Sequence, residues 1–117
     1  MQKITGSLGE IRAEQILAEK GYELLAHNVV LPGSEIDLIA RDGGVIVFIE
    51  VKTRTGRRGT GREAVSLAKQ RRICKGAMYY MMRNGLMNRQ ARFDVIEIQG
   101  ERVTHIVNAF PYQGPAF

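Results

Sequence analysis

The sequence predicts an α/β domain with a mixed central sheet of about five strands flanked by helices, in the order α-β-β-β-α-β-β. Three observations predict it. Residues 45–51 read Val-Ile-Val-Phe-Ile-Glu-Val, apolar on both faces, as in a central strand covered from either side. Residues 7–20 and 63–83 repeat apolar side chains at helical spacing, whereas 22–30, 35–41, 92–98 and 102–107 are strand-like runs bounded by Gly, Pro, Asn or Asp. A chain of 117 residues with 44% hydrophobic side chains builds one core, so 1–117 is expected to be a single domain.

The first helix opens on Ser7-Leu8-Gly9-Glu10, which reads as a capping box, and stops at Gly21. Glu10, Ala13 and Leu17 share a face at helical spacing. Glu10 therefore has two readings: the cap alone, or a carboxylate at the inward start of the helix. The first strand, 22–30, ends in the turn Leu31-Pro32-Gly33-Ser34, and strands two and three follow at 35–41 and 45–53. The second helix, 63–83, carries an apolar stripe of Leu67, Cys74, Ala77, Met78 and Met81, with Lys69, Arg72 and Arg83 on the other side; Asn84-Gly85 ends it. In strand four Phe93, Val95 and Glu97 share one face, and Arg92, Asp94, Ile96 and Ile98 the other. Strand five covers 102–107, so the core spans about 7–106 and 107–117 is an irregular tail, broken by Pro and Gly from residue 110.

Strands two and three hold the chemistry. Asp42-Gly43-Gly44 is a short turn signal, so the two runs pair as an antiparallel hairpin that brings Asp37 near Glu50. Glu50 and Lys52, two apart, point the same way. Such residues are costly in a core unless they are paired or bind a metal. Hard cations such as Mg2+ are held by one or two carboxylates plus substrate phosphate. A metal-bound water and a lysine facing a phosphate would complete a phosphodiester hydrolysis site. The plainer alternative is an exposed strand face with Glu50 and Lys52 as solvated neighbours.

The net charge of +5 favours an anionic partner, most simply nucleic acid. The excess is uneven: residues 52–75 hold Lys52, Arg54, Arg57, Arg58, Arg62, Lys69, Arg71, Arg72 and Lys75 against the single acid Glu63. The Gly-rich loop with Arg54, Arg57, Arg58 and Arg62, continued by Lys69 and Arg72 on the helix, suits a phosphate backbone. It lacks the Gly-x-x-x-x-Gly-Lys-Ser/Thr order of a P-loop, so no nucleotide cofactor is expected. Cys74, the single cysteine, reads as a buried core residue. No run approaches the ~20 apolar residues of a membrane span, and residues 1–6 lack a leader's apolar core. No membrane partner and a cytoplasmic location are the expectation.

The arrangement resembles the PD-(D/E)XK nuclease superfamily: Glu50-Val51-Lys52 matches the E-x-K element and Asp37 the upstream Asp. Gly9-Glu10 with Ala13, residues 33–40 and 48–54, Lys69, and Arg92-Phe93-Asp94-Val95 further resemble the YraN family, described as endonuclease-like and similar to archaeal Holliday junction resolvases. The resemblance covers about residues 6–106 and departs at Gly33-Ser34-Glu35, where the family more often has Gly directly before Glu. It implies a three-layer restriction-endonuclease-like fold, DNA as substrate and Mg2+ or Mn2+ as cofactor. It implies Asp37 and Glu50 as metal ligands, with Glu10 completing the site. Lys52 would orient the attacking water and stabilise the transition state, and Lys69 would reach the site from the second helix. Branched DNA has two-fold character, which a homodimer would suit. The resemblance gives Asp94 no clear role, and an Arg92–Asp94 pair on one strand face can be purely structural.

Two other functions fit the same residues. One is a non-catalytic nucleic-acid-binding protein that retains the nuclease fold. The other is an adaptor whose tail, 110–117, docks on a partner.

Overall fold

Seven elements make up the computed structural model, which describes residues 8–54 and 65–113. They are Leu8–Glu19 (α1), Glu23–Leu31 (β1), Ser34–Asp42 (β2), Val45–Arg54 (β3), Leu67–Arg83 (α2), Gln90–Gln99 (β4) and Arg102–Phe110 (β5). The strands lie side by side in chain order; β3 and β4 run parallel and every other neighbouring pair is antiparallel. The antiparallel pairs need only tight turns, whereas the parallel pair needs a crossover, and α2 is in that connection.

Alternation along β3 divides the core in two. Ile46 and Phe48 pack with Ile73, Cys74, Ala77 and Met81 of α2. Val47 and Ile49 pack with Ala13 and Leu17 of α1. The sheet is thus the middle of three layers, and the α/β class and element order are those the sequence predicts. On the α2 side Phe48, Phe93 and Phe110 sit at one level of β3, β4 and β5. Their rings stack with centroids 5.7 and 5.2 Å apart. On the α1 side Arg12 donates to the carbonyls of Gly100 and Glu101, tying the helix to the β4–β5 turn.

Both helices end as predicted. Gly21 and Gly85 take φ of 87° and 67°, and the amides after them, Tyr22 and Leu86, donate to the carbonyls of Leu17 and Met81. This is the glycine-terminated Schellman closure.

Other expectations are corrected. The second helix begins at Leu67 rather than at residue 63, because Ser66 has extended φ and ψ and its side chain accepts from the Lys69 amide. Leu67 is consequently exposed, outside the apolar stripe expected to include it, and Ile73 is in the core instead. The last strand does not stop at residue 107 but continues to Phe110. Between the pairs Phe93–Phe110 and Val95–Ile106, β5 carries two more residues than β4. Asn108 turns this bulge with φ 56°, and Phe110 returns to the core. The following residues lie against α2, where the Gln113 amide donates to Cys74 Sγ. Burial raises the Cys74 thiol above its usual range, as suits the predicted core role.

Among the described residues no helix is long and apolar enough to cross a membrane. Ser7 and its capping box, Arg57, Arg58, Arg62, Glu63 and the tail beyond residue 113 lie outside the described residues.

Candidate functional site

The antiparallel ladder between β2 and β3 runs from Asp42–Val45 to Leu38–Ile49 and ends there, while β2 stays paired with β1 as far as Ser34. Asp37 and Glu50 are the first residues past that end, one on each strand. Where the ladder stops, a side chain takes over: Asp37 Oδ2 accepts from the Val51 amide at 2.8 Å.

Glu50 is 6% exposed and closes the run of buried residues 46–50 in β3. A buried carboxylate needs partners, and Glu50 Oε2 has Lys69 Nζ at 2.5 Å and Lys52 Nζ at 3.6 Å. Lys69 belongs to the first turn of α2, so its position follows from the Ser66 cap that starts the helix. The Glu50 carboxylate holds the Lys69 ammonium charged, raising its pKa despite the opposing effect of burial. Asp37 has no such direct ammonium contact among the described residues. Burial first, then the neighbouring charge of Glu50, push its carboxyl up to about 7; the charge of Glu10 adds to this, against the Val51 amide and Lys69. Glu10, at the start of α1, accepts from Asn28 Nδ2 of β1 at 3.0 Å.

The structure therefore brings together Asp37, Glu50, Lys52 and Lys69, with Glu10 within electrostatic reach. Arg54 is at the end of β3 with its Nε 2.5 Å from Glu97 Oε2 on β4, an ion pair within the sheet. Arg72 is exposed on α2, as are Arg71 and Lys75.

The donors suit a hard divalent cation in that all are oxygens, although Lys69 and Lys52 already balance the charge of the Asp37–Glu50 pair. Among the described residues no three acidic, His or Cys side chains are gathered closely enough to hold a metal ion as they stand. That does not match a three-carboxylate site with Glu10 as an equal ligand. One or two carboxylates completed by water and phosphate are enough to hold Mg2+.

Two groups of residues went largely unnoticed in the sequence, which offers only the Arg92–Asp94 pair of the second. Asn28 reads there as an ordinary strand residue, and only the fold sets it beside Glu10. The second group surrounds Asp94, which is wholly buried on the α1 side of the sheet, opposite Glu50. Its carboxylate accepts from Arg92 Nε at 3.0 Å and from the Asn108 amide at 2.9 Å, and lies 2.8 Å from His105 Nε2. Arg92 also donates to Asp42 and to the Tyr22 hydroxyl. Lys20 Nζ lies 2.8 Å from His105 Nδ1; an ammonium only donates, so the imidazole proton is on Nε2 and points at Asp94. With every bond accounted for, this group reads as a buried clamp between β4, β5 and the turn after α1.

The chain matches the family described as Uncharacterised protein family UPF0102 over residues 9–98. It is 50% identical over 100 residues to a UPF0102 protein of Symbiobacterium thermophilum, covering 85% of each chain. It is 41% identical over 115 residues to one of Lachnoclostridium phytofermentans, covering 97% of this chain and 98% of the other. A UPF0102 protein of Geobacter sulfurreducens is 42% identical over 114 residues, covering 92% and 89%. The YraN resemblance in the sequence is to this same family, and the chain belongs to UPF0102.

Proposed function

We propose that the protein is a metal-dependent endonuclease that hydrolyses DNA phosphodiester bonds, with branched or otherwise structured DNA as the favoured substrate class. The observation that carries this is the juxtaposition of Asp37 and Glu50 where the β2–β3 ladder ends, with Lys52 and Lys69 converging on Glu50. Asp37 and Glu50 would hold Mg2+ or Mn2+, with Glu10 at the edge of the site. The cation would neutralise phosphate charge and acidify a bound water. Lys52, about a third exposed, would face the scissile phosphate and stabilise charge developing on it. Lys69 holds Glu50 until phosphate or cation competes for it. Arg72 and its exposed neighbours on α2, with the basic loop before it, would hold the backbone without reading sequence. Two copies of the chain would match a two-fold junction.

The test is cleavage of a labelled four-way junction and its matching linear duplex with Mg2+ or Mn2+, wild type beside Glu50→Ala. Cleavage that needs both the metal and Glu50 supports the reading; no cleavage with either metal opposes it. The second reading, a non-catalytic nucleic-acid-binding protein, is favoured by the contact of Lys69 with Glu50, which fills the cation's place beside that carboxylate. Asp37→Ala separates the two. An enzyme loses cleavage and keeps most of its DNA affinity, whereas a binding module has no cleavage to lose. In either case affinity should fall log-linearly as salt rises. The adaptor reading is weakened by the fold, since Phe110 is in the core.

A further inference from the structure

We propose that Asn28 is a positioning residue of the cation site, steering Glu10 through its amide nitrogen and offering its amide oxygen to the cation or its water shell; this rests on the metal-dependent reading above. Asn28 is between the pairs His27–Leu38 and Val29–Ile36, so it is level with Asp37 on the neighbouring strand. Its backbone is left-handed, φ 49°, in mid-strand, a conformation that Asn and Asp tolerate and most residues do not. Its Nδ2 donates to Glu10 Oε1 at 3.0 Å. An ionised carboxylate only accepts, so this bond fixes which end of the amide faces Glu10 and leaves Oδ1 on the other side. That oxygen is buried and has no hydrogen-bond donor among the described residues. A buried acceptor without a donor is costly. With Glu10 held by the same amide and Asp37 level with it on the next strand, a cation or a water bound to one is the partner that completes it. The same side chain thus sets Glu10 and supplies a further hard oxygen at the level of Asp37, as groups that orient metal ligands do.

The test is Mn2+ titration of the full chain, followed by the electron paramagnetic resonance signal of free Mn2+, for wild type, Asn28→Gly, Asn28→Asp and Asp37→Ala. Circular dichroism melts accompany each variant. Glycine accepts the left-handed backbone, so Asn28→Gly removes the side chain without straining the strand. Asn28→Asp keeps an oxygen in place. The expected result is Mn2+ affinity weakened roughly 10–100-fold in Asn28→Gly and weakened less in Asn28→Asp, which keeps the oxygen but gives up the donor to Glu10. Wild-type affinity in Asn28→Gly, with binding lost in Asp37→Ala, would overturn the proposal and leave the cation site standing. Asn28→Asp no tighter than Asn28→Gly, both lacking the donor to Glu10, would overturn the role of the oxygen and leave only the steering of Glu10. Wild type that takes up no Mn2+ would overturn the metal-dependent reading itself, and this proposal with it.

Discussion

Lys69 Nζ is 2.5 Å from Glu50 Oε2, nearer than Lys52 Nζ at 3.6 Å, although Lys52 is only two residues away on the same strand. The closer counter-ion of the most buried site carboxylate thus comes from another layer, and the pair bolts α2 to the open end of the sheet. Lys69→Met should lower unfolding free energy by about 1–3 kcal/mol, between an exposed ion pair and a fully buried one, because the ammonium is one-third exposed. Urea denaturation measures this. Added Mn2+ should raise the melting temperature of the variant more than that of wild type, since the cation then has no ammonium to displace. An equal shift in both would mean that Lys69 and the cation do not compete.

Asp37 gives the site a pH signature. Its carboxyl is held up to about 7, against 3.8 in an unfolded chain, by burial and then by the charge of Glu50. The folded state binds the additional proton in that interval. Its contribution is therefore complete below the unfolded value and is lost as pH rises through about 4 to 7. In metal-free buffer, Asp37→Asn should be more stable than wild type above neutrality, with a flatter dependence of melting temperature on pH. Mg2+ should flatten the wild-type curve in the same direction. Parallel curves for wild type and variant would sink this account.

Asp94 behaves in the opposite sense. Burial opposes its ionisation, but the bonds from His105, Arg92 and the Asn108 amide outweigh burial and hold the carboxyl below its usual range. Its contribution is present above the unfolded value and fades only as pH falls through the folded one. Asp94→Ala removes a wholly buried carboxylate from half-buried Arg92, which keeps Asp42 and Tyr22, and should cost about 2–4 kcal/mol. Because the clamp is on the face opposite Glu50, Mn2+ affinity of the folded fraction should stay near the wild-type value. A large loss of Mn2+ affinity without a loss of stability would instead make Asp94 part of the site.

The periodicities made the architecture legible: β3 is apolar on both faces because helices cover both, and Gly21 and Gly85 end their helices where the patterns stop. Asp37, Glu50 and Lys52 were legible because a charge at the end of an apolar strand needs a reason. Long-range pairings were not. The contact of Asn28 with Glu10 spans elements that only the closed sheet brings together. The bulge at Asn108, which carries β5 on to Phe110, depends on an aspartate in another strand. Ser66 went unread as a cap because helix-like spacing continued upstream of it.

Gly76 tests how tightly α2 holds the segment leading to Asp37. In a helix interior, Gly→Ala ordinarily stabilises by about 0.5–1 kcal/mol. Here an added Cβ would be 3.0 Å from Ser34 Cβ, 3.1 Å from Ser34 Oγ and 3.4 Å from Ile36 Cδ1. Ile36 can turn its terminal methyl aside. Ser34 Cβ is fixed to the backbone of the hairpin and moves only with it. Overpacking of this kind costs about 1–3 kcal/mol, so the clash should win and Gly76→Ala should destabilise by about 1 kcal/mol. Combining it with Ser34→Gly, which removes two of the three close atoms, should recover the helix-propensity gain. Because the displaced strand carries Asp37 directly after Ile36, Mn2+ affinity should fall with Gly76→Ala and return in the double variant. Stabilisation by Gly76→Ala alone would show that the helix and hairpin have room to spare at this contact.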